Sequence, residues 1–99
     1  MSIKQTAIDG TLNYWKSIWY KLVVTNEDES QTAEKTITFT QESDRLLSTV
    51  FFGSGEAVFP IKKVKLYDSS DTLLAEEAVN VNKGDGQSLT LIRKDILEV

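Results

Sequence analysis

The chain is divided into short β-branched and aromatic segments that alternate with turn signals rich in glycine, aspartate and asparagine. The clearest turn signals are Gly53-Ser54-Gly55, residues 68–71 and residues 82–87. Small and polar residues of these types favour tight turns, whereas β-branched and aromatic residues fit a pleated sheet. Short strands separated by regular turns are typical of all-β folds. We predict an all-β fold, an antiparallel β-sandwich (jelly-roll or Ig-like) of about seven to eight strands with little or no helix.

The length of the chain predicts a single β-sandwich domain over residues 1–99. A domain of this size buries roughly two-thirds of the surface that its unfolded chain exposes, so its core is modest. Phenylalanine, tryptophan and aliphatic residues are numerous enough to form that core.

Strands are predicted over residues 11–25, 33–40, 46–52, 57–68, 72–81 and 88–99, with a short helical turn or a polar loop over residues 41–45. In the first strand, Tyr14 and Tyr20 would share one face and Trp15 and Trp19 the other. Helical spacing would also bring the two tryptophans together, but the β-branched end of the segment favours a strand. Pro60 predicts an edge position or a bend in the fourth segment.

The composition argues against several classes of function. The sequence has no histidine and no cysteine, which removes the commonest general base, the commonest transition-metal ligand and thiolate chemistry. The net charge of −4 and the interspersed charges argue against a nucleic-acid partner. No apolar run approaches the length of a membrane span, and no classical export signal is visible. We expect no enzyme activity, no cofactor, no metal and no membrane partner.

Three local patterns that resemble ligand sites are better explained as turns or solvated surface. Gly53-Ser54-Gly55 lacks the spacing of a phosphate loop, so a tight bend is the expected structure. Residues 80–86 resemble the start of an EF-hand calcium loop, but the bidentate glutamate that ends such a loop is missing. A hairpin is expected instead. Glu76 and Glu77 are adjacent on a predicted strand and would point to opposite faces, which argues against a catalytic carboxylate pair.

Four segments of the chain, taken in order, resemble the sequence pattern of small structural proteins of tailed phages and prophages. They are the strand end Phe52-Gly53-Ser54-Gly55-Glu56-Ala57, the segment over residues 61–68, the turn over residues 71–75 and the hairpin over residues 83–90. The resemblance covers about the C-terminal half of the chain. The family pattern alternates threonine with apolar residues in its last strand, whereas Arg93 and Asp95 interrupt that alternation here. Either a bulge shifts the face of this strand, or both side chains face solvent or a neighbouring subunit.

The resemblance implies a virion component, associated with the head, the tail or a fibre, that binds other virion structural proteins. Such proteins are commonly β-sandwiches and often oligomeric. We therefore expect a homo-oligomer that is located in the virion and is assembled in the host cytoplasm. The resemblance implies no catalytic residues.

The aromatic segment and the irregular last strand are the predicted interface. The residues chosen for this interface are Tyr14, Trp15, Trp19, Tyr20, Arg93 and Asp95. Tryptophan and tyrosine are enriched where proteins bind one another, and exposed strand edges can be extended by a partner strand. Core packing of the aromatic residues is the simplest alternative. Sugar stacking on the tryptophans would make the protein a carbohydrate- or receptor-binding module at a phage fibre instead.

Overall fold

The computed structural model describes residues 5–97 and consists of one helix followed by seven strands. The elements are α1 (Gln5–Ile18), β1 (Lys21–Thr25), β2 (Thr32–Thr36), β3 (Thr38–Glu42), β4 (Arg45–Phe52), β5 (Pro60–Tyr67), β6 (Leu73–Asn82) and β7 (Leu89–Ile96).

The strands form two antiparallel sheets that pack as a sandwich, which confirms the predicted fold class. Sheet A has the order β2-β1-β5-β6, and sheet B has the order β3-β4-β7. The core between them is built around Phe52, Ile61 and Val24, which are fully buried. Buried positions alternate with more exposed ones along β4 and along most of β1, as is expected of strands with one buried face.

The prediction of a strand over residues 11–25 is wrong for its first part, because α1 extends to Ile18 and β1 begins only at Lys21. This short helix is the only one within residues 5–97, which agrees with the prediction of little helix. Ile8 and Leu12 are spaced by one helical turn, and both are buried against Leu46 of sheet B. This packing supplies the stabilisation that the weak intrinsic helix propensity of the segment lacks.

Polar contacts also hold α1 against the turn between β3 and β4. The side chain of Gln41 donates a hydrogen bond to Asp9 at 2.6 Å, and that of Gln5 donates to the carbonyl of Ser43 at 2.9 Å. The helix therefore covers the end of sheet B that sheet A does not cover.

The predicted strand over residues 33–40 is divided into two strands that belong to different sheets. Ile37 lies between β2 and β3, is buried in the core, and donates its backbone N–H to the carbonyl of Tyr20. The chain crosses from sheet A to sheet B at this residue, so β2 and β3 close one side of the sandwich. Residues 43 and 44 form a tight turn between β3 and β4, rather than a helical turn.

The glycine-rich bend and the loop before β7 are joined at one end of the sandwich. The buried amine of Lys83 donates to the carbonyl of Gly53 at 2.8 Å, and a side-chain oxygen of Glu56 accepts from the Gly53 N–H at 2.8 Å. Gly55 has a positive φ of 82°, which glycine adopts without strain. Pro60 is the first residue of β5 and pairs with Asn82 of β6, whereas β5 pairs with β1 only from Lys63 onward, so the predicted edge position holds locally at Pro60.

The outer face of sheet A carries interleaved charges. Lys21 forms ion pairs with Glu34 and Asp71, each at 2.7 Å, and the hydrogen bond to Asp71, followed by that to Glu34, raises the pKa of Lys21 above its ordinary value. Glu29 contacts both Lys63 and Lys65. This face is therefore well suited to solvent.

The Glu29 cluster predicts a loss of stability in acid. The hydrogen bond from Lys65, and then that from Lys63, lowers the pKa of Glu29 below its ordinary value of 4.5. A depressed carboxyl pKa stabilises the fold above the unfolded-state pKa, and this contribution disappears as the pH falls through the folded-state pKa. We expect Glu29→Gln to flatten the fall in the free energy of unfolding between about pH 6 and about pH 3.

Urea unfolding of the wild type and the variant across this pH range measures the difference. Glu27→Gln, in the same loop, is the matched control because Glu27 forms no ion pair within residues 5–97. The Glu27→Gln variant should follow the wild type. An unchanged acid slope in Glu29→Gln would contradict the assignment of the Glu29 ion pairs.

Candidate protein-docking surface

The side of the sandwich opposite Ile37 is open, because the two sheets end there on long strands that pair on one side only. β6 has 10 residues and pairs only with β5, and β7 has 8 residues and pairs only with β4, within the described residues. The edge strands on the closed side, β2 and β3, have 5 residues each. Unpaired backbone groups along an edge strand are a template for another strand. We call this side, formed by β6, β7 and the space between them, the open side.

A groove of about 490 Å³ runs along the open side. Its lining is mainly apolar and comes from the core of both sheets: Leu22, Val64, Leu66, Ala75, Val79 and Leu91. Glu76 and Glu77 of β6 and Ile92 and Arg93 of β7 complete the lining. The groove is therefore a part of the core that the two sheets leave open, with charges at its margins.

The structure brings four of the six predicted interface residues together beneath α1. The rings of Trp15 and Trp19 stack with centroids 5.4 Å apart, and the guanidinium carbon of Arg93 lies 5.0 Å from the centroid of the Trp19 ring. Arg93 Nε is 3.1 Å from Asp95 Oδ2. The stacking follows from one helical turn at the end of α1, where the backbone N–H of Trp19 donates to the carbonyl of Trp15. The stacked tryptophans and Arg93 thus join the end of α1 to β7 of sheet B.

The structure excludes one of the predicted explanations for the last strand, the bulge. β4 and β7 pair in one continuous register, so no bulge shifts the face of β7. Arg93 pairs with the fully buried Ser48, and both belong to the inner face that α1 covers. Ile92 and Ile96 instead occupy the outer face, where they are 63% and 44% exposed. Along this half of β7, Arg93 and Asp95 therefore lie on the inner face, and Ile92 and Ile96 lie on the outer face with Lys94.

Two buried oxygens of sheet B have no hydrogen-bond partner among residues 5–97: Ser48 Oγ and Asp95 Oδ2. Asp95 Oδ2 is within ion-pair distance of Arg93 Nε, but the alignment of the two groups does not make a hydrogen bond. A carboxylate oxygen in this position retains capacity to accept a further hydrogen bond.

Tyr14 and Tyr20, the other two predicted interface residues, are separate from this cluster. Their side chains are 57% and 45% exposed, whereas the two tryptophans are partly buried. Tyr14 lies on α1, and Tyr20 lies between α1 and β1. The groove and the edge of β6 were not among the predicted interface residues. The length of the segment over residues 72–81 was the available signal, but the sequence did not show that this strand ends a sheet.

The fold and the open side define the protein as an antiparallel β-sandwich with a helix over residues 5–18 and two long edge strands that are unpaired on one side within residues 5–97. The chain matches no family model, no curated protein and no solved structure. Residues 5–97 contain no helix with the length and hydropathy needed to cross a membrane, and no cluster of acidic side chains placed to hold a metal ion.

Proposed function

We propose that the chain is a non-enzymatic structural protein of a tailed-phage virion that binds other virion proteins through its open side. The observation that carries this proposal is the pair of long edge strands that flank an apolar groove. An extended partner segment would add main-chain hydrogen bonds to β6 or β7 and place alternate side chains in the groove. This is a mode of binding that needs no catalytic chemistry.

The other surfaces support the choice of the open side. The outer face of sheet A is covered by ion pairs, such as those of Lys21 and Glu29, which protein docking would have to desolvate. The closed side is formed by the short strands β2 and β3 around the buried Ile37. The open side alone combines unpaired backbone groups with apolar surface, within the part of the chain that the structure describes.

The virion location rests on the four-piece pattern that begins at Phe52 and ends near Thr90. In the structure, the glycine-rich bend and the loop before β7 are linked through Lys83 and Gly53. This contact gives the two pieces of the pattern a shared structural role. The absence of histidine and cysteine from the sequence supports a structural protein rather than an enzyme.

The environment of the tryptophans favours protein docking over sugar binding. Trp19 is contacted by Trp15 and by Arg93 within the chain, so its ring contributes to the packing of α1. A sugar platform needs an exposed aromatic face. We therefore propose protein partners and not a glycan.

Mass spectrometry of purified particles tests this function. Particles are prepared from the phage, or the induced prophage, that encodes the chain, and its copy number is measured against the major capsid protein. We expect the chain at a fixed copy number that persists through density-gradient purification. Its absence from purified particles that contain the other structural proteins would overturn the proposal.

A further inference from the structure

The exposed half of β7 is complementary to itself when it is read in the opposite direction. Residues 92–96 have the sequence Ile-Arg-Lys-Asp-Ile. A two-fold axis at Lys94 places each isoleucine opposite an isoleucine and the arginine opposite the aspartate. Two copies of this strand, related in this way, would run antiparallel, as strands do on either side of a two-fold axis in a shared sheet.

The alternation of side chains limits the other registers. Directly opposite residues in an antiparallel pair must lie on the same face, so inner-face residues pair with inner-face residues. A two-fold axis at Arg93 would place this arginine opposite the arginine of the other copy. An axis at Ile92 would place Arg93 opposite Leu91 of the partner subunit. Only the axis at Lys94 pairs Arg93 with Asp95 of the partner subunit.

We propose that the partner of the β7 edge is a second copy of this chain, paired antiparallel about a two-fold axis at Lys94. The two three-stranded sheets then join into one six-stranded sheet with the order β3-β4-β7-β7-β4-β3. This inference rests on the proposed docking role of the open side and names the partner of its β7 edge. The edge of β6 remains available to bind a different virion protein.

The environment of these residues suits that arrangement. Ile92 and Ile96 are 63% and 44% exposed on the outer face, and each would be covered by its counterpart in the partner subunit. On the inner face, Asp95 Oδ2 lacks a hydrogen-bond partner within residues 5–97, and the partner's Arg93 would supply donors. The two copies of Lys94 would face each other on the outer face, where solvent and salt reduce their repulsion.

Charge variants at the two exposed isoleucines test the register without altering the core. The double variant Ile92→Lys/Ile96→Lys places lysine opposite lysine in the dimer, and Ile92→Glu/Ile96→Glu places glutamate opposite glutamate. An equimolar mixture of the two variants places lysine opposite glutamate at both positions. We expect each variant alone to dimerise at least about tenfold more weakly than the wild type, and the mixture to recover dimers.

Sedimentation velocity from about 1 to about 500 μM measures the dimer populations. The matched control is Leu73→Lys/Leu74→Lys, which makes the same change at two exposed residues of β6 and should dimerise like the wild type. A wild type that stays monomeric throughout overturns the inference, as does a mixture that shows no heterodimer. Neither result depends on the particle measurement, so a monomer that is found in virions would overturn the dimer and leave the virion function standing.

Discussion

Replacing Phe52 by alanine is expected to lower the free energy of unfolding by about 3–5 kcal/mol. Phe52 is fully buried at the end of β4 and belongs to the core between the two sheets. The loss combines two terms: the transfer free energy of the removed ring atoms, and the cost of the cavity that remains because the surrounding β-sheet relaxes only in part. A small domain has a total stability of about 5–15 kcal/mol, so this variant would approach the limit of folding.

The adjacent Phe51→Ala is the matched control for this prediction. Phe51 has the same side chain but lies on the outer face and is 55% exposed, so we expect a loss of no more than about 1 kcal/mol. Urea unfolding followed by tryptophan fluorescence measures both variants. A larger loss for Phe51 than for Phe52 would contradict the register of β4, since a slip of one residue exchanges the two faces of a strand.

Replacing Leu12 by alanine is expected to cost about 2–5 kcal/mol, because this side chain is fully buried where α1 packs on sheet B. The Trp15–Trp19 stack depends on the same packing, so the near-ultraviolet circular dichroism of the tryptophans should weaken as well. Alanine is a better helix former than leucine or asparagine, and a stability loss on substitution therefore reports lost packing rather than lost helix propensity.

Asn13→Ala is the control for the helix prediction, because Asn13 is the exposed neighbour of Leu12 on α1. Its free energy of unfolding should stay within about 0.5 kcal/mol of the wild type. If Leu12→Ala is as stable as Asn13→Ala, then α1 is not packed on sheet B as described.

The second half of the fold could be predicted because its signals are local. The strands over residues 46–52 and 72–81 follow apolar or β-branched runs between turn signals, and the structure has β4 and β6 close to these limits. A turn before β7 was also predicted from its residues, but the prediction of a hairpin there is wrong, because β6 and β7 belong to different sheets and the loop crosses from one to the other. Such signals depend on a few neighbouring residues and need no knowledge of the tertiary structure.

The helix could not be predicted in the same way, because packing rather than propensity stabilises it. Gly10, Thr11 and the aromatic residues Tyr14 and Trp15 are weak helix formers, and the aromatic residues also favour strands. The spacing of Ile8, Leu12, Trp15 and Trp19 was the signal that would have found it.

The division of the predicted strand at Ile37 and the face on which Arg93 lies also depend on tertiary structure, as the helix does. The apolar alternation continues through Ile37, so nothing local shows that the chain changes sheets there. The register of β7 with β4 places Arg93 and Asp95 on the same face as the buried Ser48 and Leu46. Polar residues at these positions suggest solvent until the helix is known. The open side likewise follows from the order of strands, which the sequence does not specify.

Binding of the purified chain to particles that lack it tests the docking role of the open side most directly. Particles from a gene-deletion phage are mixed with wild type, Glu77→Arg or Glu27→Arg, and the bound chain is quantified after gradient separation. Glu77 is exposed at the margin of the groove, whereas Glu27 lies in the loop before β2 and does not line the groove. Both variants make the same change of charge.

We expect the wild type and Glu27→Arg to bind with equal affinity, and Glu77→Arg to bind at least about tenfold more weakly, because the new arginine obstructs the groove and reverses the charge at its margin. Thermal unfolding of all three proteins confirms that they are folded. Equal binding of Glu77→Arg and the wild type, or no binding of the wild type, would contradict the proposed docking role of the open side.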